Sequence, residues 1–428
     1  MISVRNHPLQ LNGNSMKQIL FFLLIFNIAV SNAQDKVADE DDDTKIEVNV
    51  PVVNPYAYLD SINYSRKKMY NVAFLLPISV YKISLGDGKE RPTSMPQETR
   101  EVLGFWEGVN IAFAKIKNMN AKFNFHIWDN EKNDTTTANI IEGLPNYKID
   151  AVIAPFHTKQ ALMVSEYCKN NKIPMFLAQN PSDVPAKNNP YSFKFHVPKN
   201  RLFYDYYLKT VTSYADKNTD IFFVFDGLNK SERKVANYLK YMSEKDGSKR
   251  LKLLEYSSDL VLKNYLDTTR NSLFMISYYN TATVNEILQK IDNLQPYNVK
   301  VFGHNLWSTN SKLNMELLEK LQARVFTDFY YGNNKPLLNE VKSSYSSLTK
   351  DNSVSDVFLG YDVAMYVAEV LDRYGIKFPL SLDKYRYNGV VTNVSMKPTY
   401  DGKSKLLFFE NSTKFLLKAT KDGWILEE

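Results

Sequence analysis

The chain has 428 residues, 44% of them hydrophobic and 23% charged, with 53 basic against 47 acidic side chains for a net charge of +6. That length exceeds what one hydrophobic core usually fills, so two domains with well-filled cores are predicted. The small, dispersed charge excess argues against a nucleic-acid partner, which needs basic residues gathered on one face, and a single cysteine, Cys168, excludes an intramolecular disulfide.

Lys17 precedes an apolar run from Ile19 to Val30 that ends in Ser31-Asn32-Ala33. A basic start, a short apolar core and small residues at the last and third-last positions predict a secretory signal over residues 1–33, with translation starting at Met16 and cleavage after Ala33. The run is too short to span a bilayer, so no transmembrane helix is expected in the mature chain. Export without disulfides suits a bacterial periplasmic protein. Residues 34–68, with the acidic block Asp39 to Asp43, read as a disordered tether, because like charges repel and little apolar surface is available.

From Asn71 onward strand and helix alternate. Val72 to Leu76 is a buried strand, and Val102, Phe105, Val109, Phe113 and Ile116 place one apolar face on a helix over 97–118. A strand at Phe123 to Trp128, a helix from Thr135 to Leu144, and the stretch Lys148-Ile-Asp-Ala-Val-Ile-Ala-Pro-Phe-His-Thr158 follow. In that stretch an apolar strand turns into the helix Lys159 to Lys169, a corner whose free N–H groups can hold a small polar ligand. Cys168 shares helical spacing with Ala161 and Val164, which predicts a core thiol. Strands at Ile173 to Leu177 and Ser192 to His196 complete this half.

A second round begins after a helix over 199–216: strands at Asp220 to Phe225, Leu251 to Tyr256, Leu273 to Ser277, Val299 to Gly303 and Ala323 to Phe329, with helices at Lys230 to Ser243 and Val284 to Leu294. The tail carries helices over 336–349 and 355–374, then short strands at 389–394, 404–409, 413–419 and 423–427, with turns at Asp401-Gly402 and Asp422-Gly423. The fold class is therefore α/β, with two doubly wound, mostly parallel sheet lobes joined by a hinge. One lobe spans 69–198 and the other 199–329, each with part of 330–428, and the ending is expected to pack back across the hinge.

His7, His126, His157, His196 and His304 show no metal-ligand spacing, and no nucleophile elbow, phosphate loop or dinucleotide glycine motif occurs. No metal, cofactor or catalytic set is expected. Gly86-Asp-Gly88 sits in a long loop after the first strand, and loops of that length are often functional, although a plain turn is the commoner meaning of Gly-Asp-Gly.

Several of these motifs, in this order, resemble the type 1 periplasmic solute-binding proteins of the branched-chain amino-acid group. They are Val72-Ala-Phe-Leu-Leu-Pro77, Gly108 to Ala112, Ile149 to Pro155, Lys172-Ile-Pro174 leading to Ala178-Gln-Asn-Pro-Ser182, and Phe358-Leu-Gly-Tyr-Asp-Val-Ala364. The resemblance covers residues 70 to 427 and implies two lobes, three crossover strands and a ligand clamped by hinge closure. It maps the family's carboxylate contacts onto Thr158, Ala178 and Asn180, and its second-lobe tyrosine onto Tyr278 or Tyr279. Asp226 and Lys230 stand where an aromatic is common, and Asn305 where an acid receives the ammonium. With Ser79 and His157, these form the expected ligand set. Without that acid an α-amino acid is a poor fit, while helix N-termini and Lys230 favour an anion. The expected partners are a small polar ligand with a transporter permease or, alternatively, an envelope protein, since related lobes occur on peptidoglycan-linked scaffolds.

Overall fold

The computed structural model describes residues 56–59, 66–82 and 95–427 apart from 155, 180–181, 214–216, 248–249, 295–297, 349–354 and 403. The expected signal, most of the tether, Gly86-Asp-Gly88, Pro155 and Asn180 lie outside the described residues. Tyr56 and Leu59, within the span assigned to the tether, are buried, and the Tyr56 ring packs edge-on at 5.3 Å from Tyr191. Residues 56–59 are thereby held against the first core.

Two seven-stranded sheets carry the fold. In the first lobe β1 (Met69–Leu76), β2 (Lys122–Asp129), β3 (Ala151–Ile153), β4 (Met175–Leu177) and β5 (Ser192–Lys194) run parallel. In the second, β6 (Thr219–Phe225), β7 (Leu251–Glu255), β8 (Asn271–Ile276), β9 (Val299–Gly303) and β10 (Arg324–Thr327) do the same. The helices between them are α1 (Gln97–Ile116), α2 (Asp134–Gly143) and α3 (Thr158–Asn171) in the first lobe, and α4 (Lys199–Thr212), α5 (Lys230–Asp246), α6 (Thr281–Asp292) and the short α7 (Met315–Lys320) in the second. Parallel strands need such crossovers, and helices on both faces bury the sheets twice over. All seven residues of β6, Thr-Asp-Ile-Phe-Phe-Val-Phe, are buried accordingly.

Alternate residues of each strand feed separate cores. Val72, Phe74 and Leu76 join the α1 face, while Ala73 and Leu75 join Val164 and the fully buried Cys168 on the other. Phe222 and Val224 face α6, whereas Ile221, Phe223 and Phe225 face α4 and α5.

The chain then returns. Helices α8 (Lys335–Leu348) and α9 (Ser355–Tyr374) join the first lobe, where α9 lies on α1. That contact explains the Gly-Tyr-Asp motif. A Cβ on Gly360 would stand 1.9 Å from the Phe105 carbonyl oxygen, and one on Gly108 1.9 Å from that of Val357, so the two backbones meet only with glycine at both positions. The expected strand at 389–394 is instead a pair of two-residue strands, β11 (Tyr387–Asn388) and β12 (Asn393–Val394), around a tight loop. The strand β13 (Met396–Tyr400), not expected from the sequence, forms a hairpin with β14 (Leu406–Asn411) on the first sheet. Then β15 (Phe415–Thr420) and β16 (Gly423–Leu426) close the second.

Three segments thus pass between lobes: 195–198, 328–334 and 412–414. They are tied together. Asp328 on the second accepts from Val197 N–H on the first at 3.0 Å and pairs with His196 at 2.9 Å. Asp362 on α9 accepts from the N–H groups of Val390, Val391 and Thr392 at 2.6, 3.0 and 3.1 Å and from the Tyr387 hydroxyl at 3.1 Å. The loop so held accepts from Tyr330 N–H through Val391 O at 2.8 Å, and Asn393 reaches Asn333 on the second crossover and Asn411 beside the third. One buried carboxylate therefore fixes the loop that braces two of the three crossovers.

Candidate functional site

The crossovers locate the cleft. The first leaves the carboxyl end of β5 and the second the carboxyl end of β10, and the other parallel strands share those directions. The carboxyl edges of both sheets consequently border the hinge, and the loops after β1, β3 and β4 and after β6, β8 and β9 line it.

On the first lobe these loops are largely satisfied from within. Ser79 is buried with φ 55°, and its N–H, with those of Val80 and Glu131, donates to Asp129 at 2.9 Å in each case. His157 Nε2 lies 2.6 Å from Glu98 Oε1, which Lys132 also approaches at 2.9 Å. Thr158 is exposed at the first position of α3, Ala178 is buried, and Gln179 beside it donates to Asp356 on α9 at 2.9 Å. The first-lobe set is brought to one edge, but His157 is held by α1 and Ser79 by β2.

The second lobe differs. Asp226 is half-buried, and among the described residues its carboxylate accepts only from Leu228 N–H at 2.8 Å, while Asp226 N–H donates to the buried Glu232 at 2.9 Å. Lys230 is exposed at the start of α5. Of the two tyrosines, Tyr278 packs into the core beside Tyr256 and its carbonyl accepts from Trp307 Nε1–H at 2.8 Å. Burial and the carboxylates of Asp226 and Glu232 hold its hydroxyl well above the usual range, so it stays neutral. Tyr279, by contrast, is 53% exposed, with its ring 5.4 Å from that of His304. Asn305 is half-buried, and its carbonyl accepts from the Ser308 hydroxyl at 2.8 Å.

Three features of this edge are not among the residues expected from the sequence. Leu228 is 92% exposed and Leu306 48%, which with Tyr279 puts an apolar side chain on the loops of three adjacent strands, β6, β8 and β9. His304, only 6% exposed, accepts from Leu306 N–H through Nδ1 at 3.1 Å, which leaves the proton on Nε2. Burial and the nearby Lys199 ammonium lower its pKa to about 3. Lys199, the first residue of α4, is itself half-buried, and burial lowers its pKa against the pull of Glu232. The signal available was Val197-Pro-Lys199, a helix start directly after a predicted crossover. Gly303 is required here, since a Cβ would stand 2.0 Å from the Trp307 ring.

Two shallow hollows of about 380 and 520 Å³ lie elsewhere, one between the ends of α4 and α5 with Leu208 and Arg250, the other against α5 with Leu251 and Leu253 of β7, away from these loops. Among the described residues no cluster of metal-ligating side chains occurs, and no helix is long and apolar enough to cross a membrane.

Residues 107–225 match the model of the receptor family ligand binding region. No curated protein sequence matches the chain. Among solved structures, a putative branched-chain amino acid ABC transporter from Rhodospirillum rubrum aligns with 84% of this chain and 100% of its own, at 11% identity and a TM-score of 0.61. A branched-chain amino acid ABC transporter periplasmic ligand-binding protein from Burkholderia xenovorans LB400 aligns over 84% and 94%, at 13% identity and 0.56. Full-length LpoA from Haemophilus influenzae aligns over 85% of this chain and 60% of its own, at 12% identity and 0.56.

Proposed function

We propose that this chain, which has the type 1 periplasmic binding protein fold, is an exported, non-catalytic binding protein that closes its two lobes over a small ligand at their carboxyl edges. The observation that carries this reading is the second-lobe edge, where Lys199, His304 and Asn305 share the loops of adjacent strands and the start of α4 with the exposed Leu228, Tyr279 and Leu306. A cleft that excludes water strengthens each polar contact and removes the apolar rim from solvent together with the ligand. Domain closure of this kind needs hinges of few residues, and the three crossovers are short. Thermal unfolding against amino acids, sugars, muropeptides and carboxylates tests it, because a ligand bound by the native state alone raises Tm with concentration. A dose-dependent rise for one chemical class is expected, and no rise for any solute would remove the reading.

A second reading is an envelope scaffold that uses the same fold to hold a protein. The first-lobe edge favours it, since Ser79, His157 and Gln179 are already engaged within the lobe. The likeness to LpoA is consistent with it at the level of fold. Recovery of one defined envelope protein, with no solute response, would support this reading over the first.

A further inference from the structure

The polar and apolar groups on the second-lobe edge are ordered in a way that defines a ligand. Helix α4 packs on β9 through Phe203 and Tyr206, whose rings lie 5.5 and 3.9 Å from that of Phe302. One turn earlier on the helix is Lys199, and two residues later on the strand, on the same face, is His304. The amino end of a 14-residue helix therefore lies over the carboxyl end of β9, and Pro198 at its cap supplies no side-chain acceptor.

Each donor at this point is open. Among the described residues Lys199 forms no ion pair within 4.0 Å and no hydrogen bond, and His304 Nε2–H, on a ring more than nine-tenths buried, has no partner. The nearby carboxylates make their hydrogen bonds elsewhere, Glu232 accepting from Asp226 N–H and the Ser277 hydroxyl and Asp226 from Leu228 N–H, so that Glu232 attracts the Lys199 ammonium without accepting from it. A half-buried ammonium and a neutral imidazole donor without acceptors, at a helix N-terminus, are complementary to an anionic oxygen pair. Beside them Tyr279 and Leu306 offer apolar surface, with Leu228 one strand further on.

We infer that the ligand is an amphipathic monocarboxylate, held by Lys199 Nζ and His304 Nε2–H through its carboxylate and by Tyr279, Leu306 and Leu228 through its hydrocarbon part. This rests on the cleft-binding reading above and reverses the polarity expected from the resembling amino-acid binders, in which the second lobe receives an ammonium. Lys199 becomes the residue that sets specificity for charge, and His304 the one that fixes carboxylate orientation.

Titration calorimetry of the full-length protein with hexanoate and phenylacetate, against hexanamide, phenylacetamide, hexylamine and phenethylamine, tests it. The acids bind and the amides bind at least tenfold more weakly, while the amines do not bind. Lys199→Gln weakens acid binding tenfold or more, Lys199→Arg restores most of it, and His304→Gln weakens it several-fold, all with unchanged far-ultraviolet circular dichroism. Equal binding of acid and amide, or unchanged acid binding in Lys199→Gln, overturns the assignment. If a neutral or cationic solute binds with lobe closure while the acids do not, the assignment falls and the cleft-binding reading stands. If no solute binds, both fall.

Discussion

The two lobes share an architecture but treat their cleft edges in opposite ways. On the first, Asp129, Glu98 and Asp356 are spent on the loops themselves, accepting from Ser79 and Val80, from His157 and Lys132, and from Gln179. On the second, Lys199 and His304 are left without acceptors among the described residues and three large apolar side chains face solvent. Satisfied groups rigidify a surface, whereas open donors in a low-dielectric site hold potential for binding. On the proposed reading the first lobe is the platform and the second the reader.

The largest single-substitution effect on stability that would sharpen this contrast lies at Asp362. Asn in its place puts an amide N–H₂ among four donors that now share a carboxylate. Denaturant unfolding of Asp362→Asn should show a loss of about 3–4 kcal/mol, and a loss below about 1 kcal/mol would mean the loop is not built on this carboxylate. Burial pushes the Asp362 carboxyl up to about 7 although all four donors pull it down.

Next comes pH. His304 has a folded pKa near 3 against an ordinary 6.5. A folded value below the unfolded one means that its contribution is complete above pH 6.5 and is lost as pH falls from 6.5 toward 3. The loss is on the order of 5 kcal/mol at 1.36 per unit, and His304→Gln should flatten that slope in urea midpoints measured across the range. Asp328 acts in a lower window: burial opposes its ionisation, but His196 and the Val197 N–H hold it below the usual carboxylate range. An unchanged slope in His304→Gln would place the acid sensitivity elsewhere.

A smaller effect separates the two edges directly. Glu98→Ala releases His157 and Lys132, and because the pair is partly exposed it should cost less than about 1 kcal/mol. With the second lobe as the reader, the same substitution changes solute binding by less than about twofold, where Lys199→Gln changes it at least tenfold. A large binding loss in Glu98→Ala would return the site to the first lobe. The smallest expectation concerns Cys168, whose thiol is fully buried and whose pKa burial raises. It should resist alkylation until the chain unfolds.

How much of the fold and the site was legible in the sequence follows from which forces act locally. Apolar runs such as Ile221 to Phe225 and the spacing of Val102, Phe105 and Val109 announce buried strands and an amphipathic helix, since doubly covered sheets require both. The tail was harder to read. Pro398 and the exposed Lys397 hide β13, and the loop between β11 and β12 exists only because Asp362, some thirty residues away in sequence, collects its N–H groups. At the site, the resemblance named Tyr278 and Tyr279 together, and only the folded chain shows that the first packs against the core while the second is exposed. Nor could it show that His157 is claimed by Glu98, or that the Lys199 charge acts on His304, because α4 and β9 are brought together by Phe203, Tyr206 and Phe302.

Closure of the lobes on a ligand read by the second edge can be measured as a distance. Spin labels at Glu166→Cys on α3 and Lys234→Cys on α5, both at exposed positions, would report the interlobe separation while the buried Cys168 stays unlabelled. Double electron–electron resonance should show the distribution shortening by several ångströms with hexanoate or phenylacetate, and no shortening in the Lys199→Gln background. A distribution that stays the same under every solute, or that shortens equally without Lys199, would contradict closure driven by the second lobe.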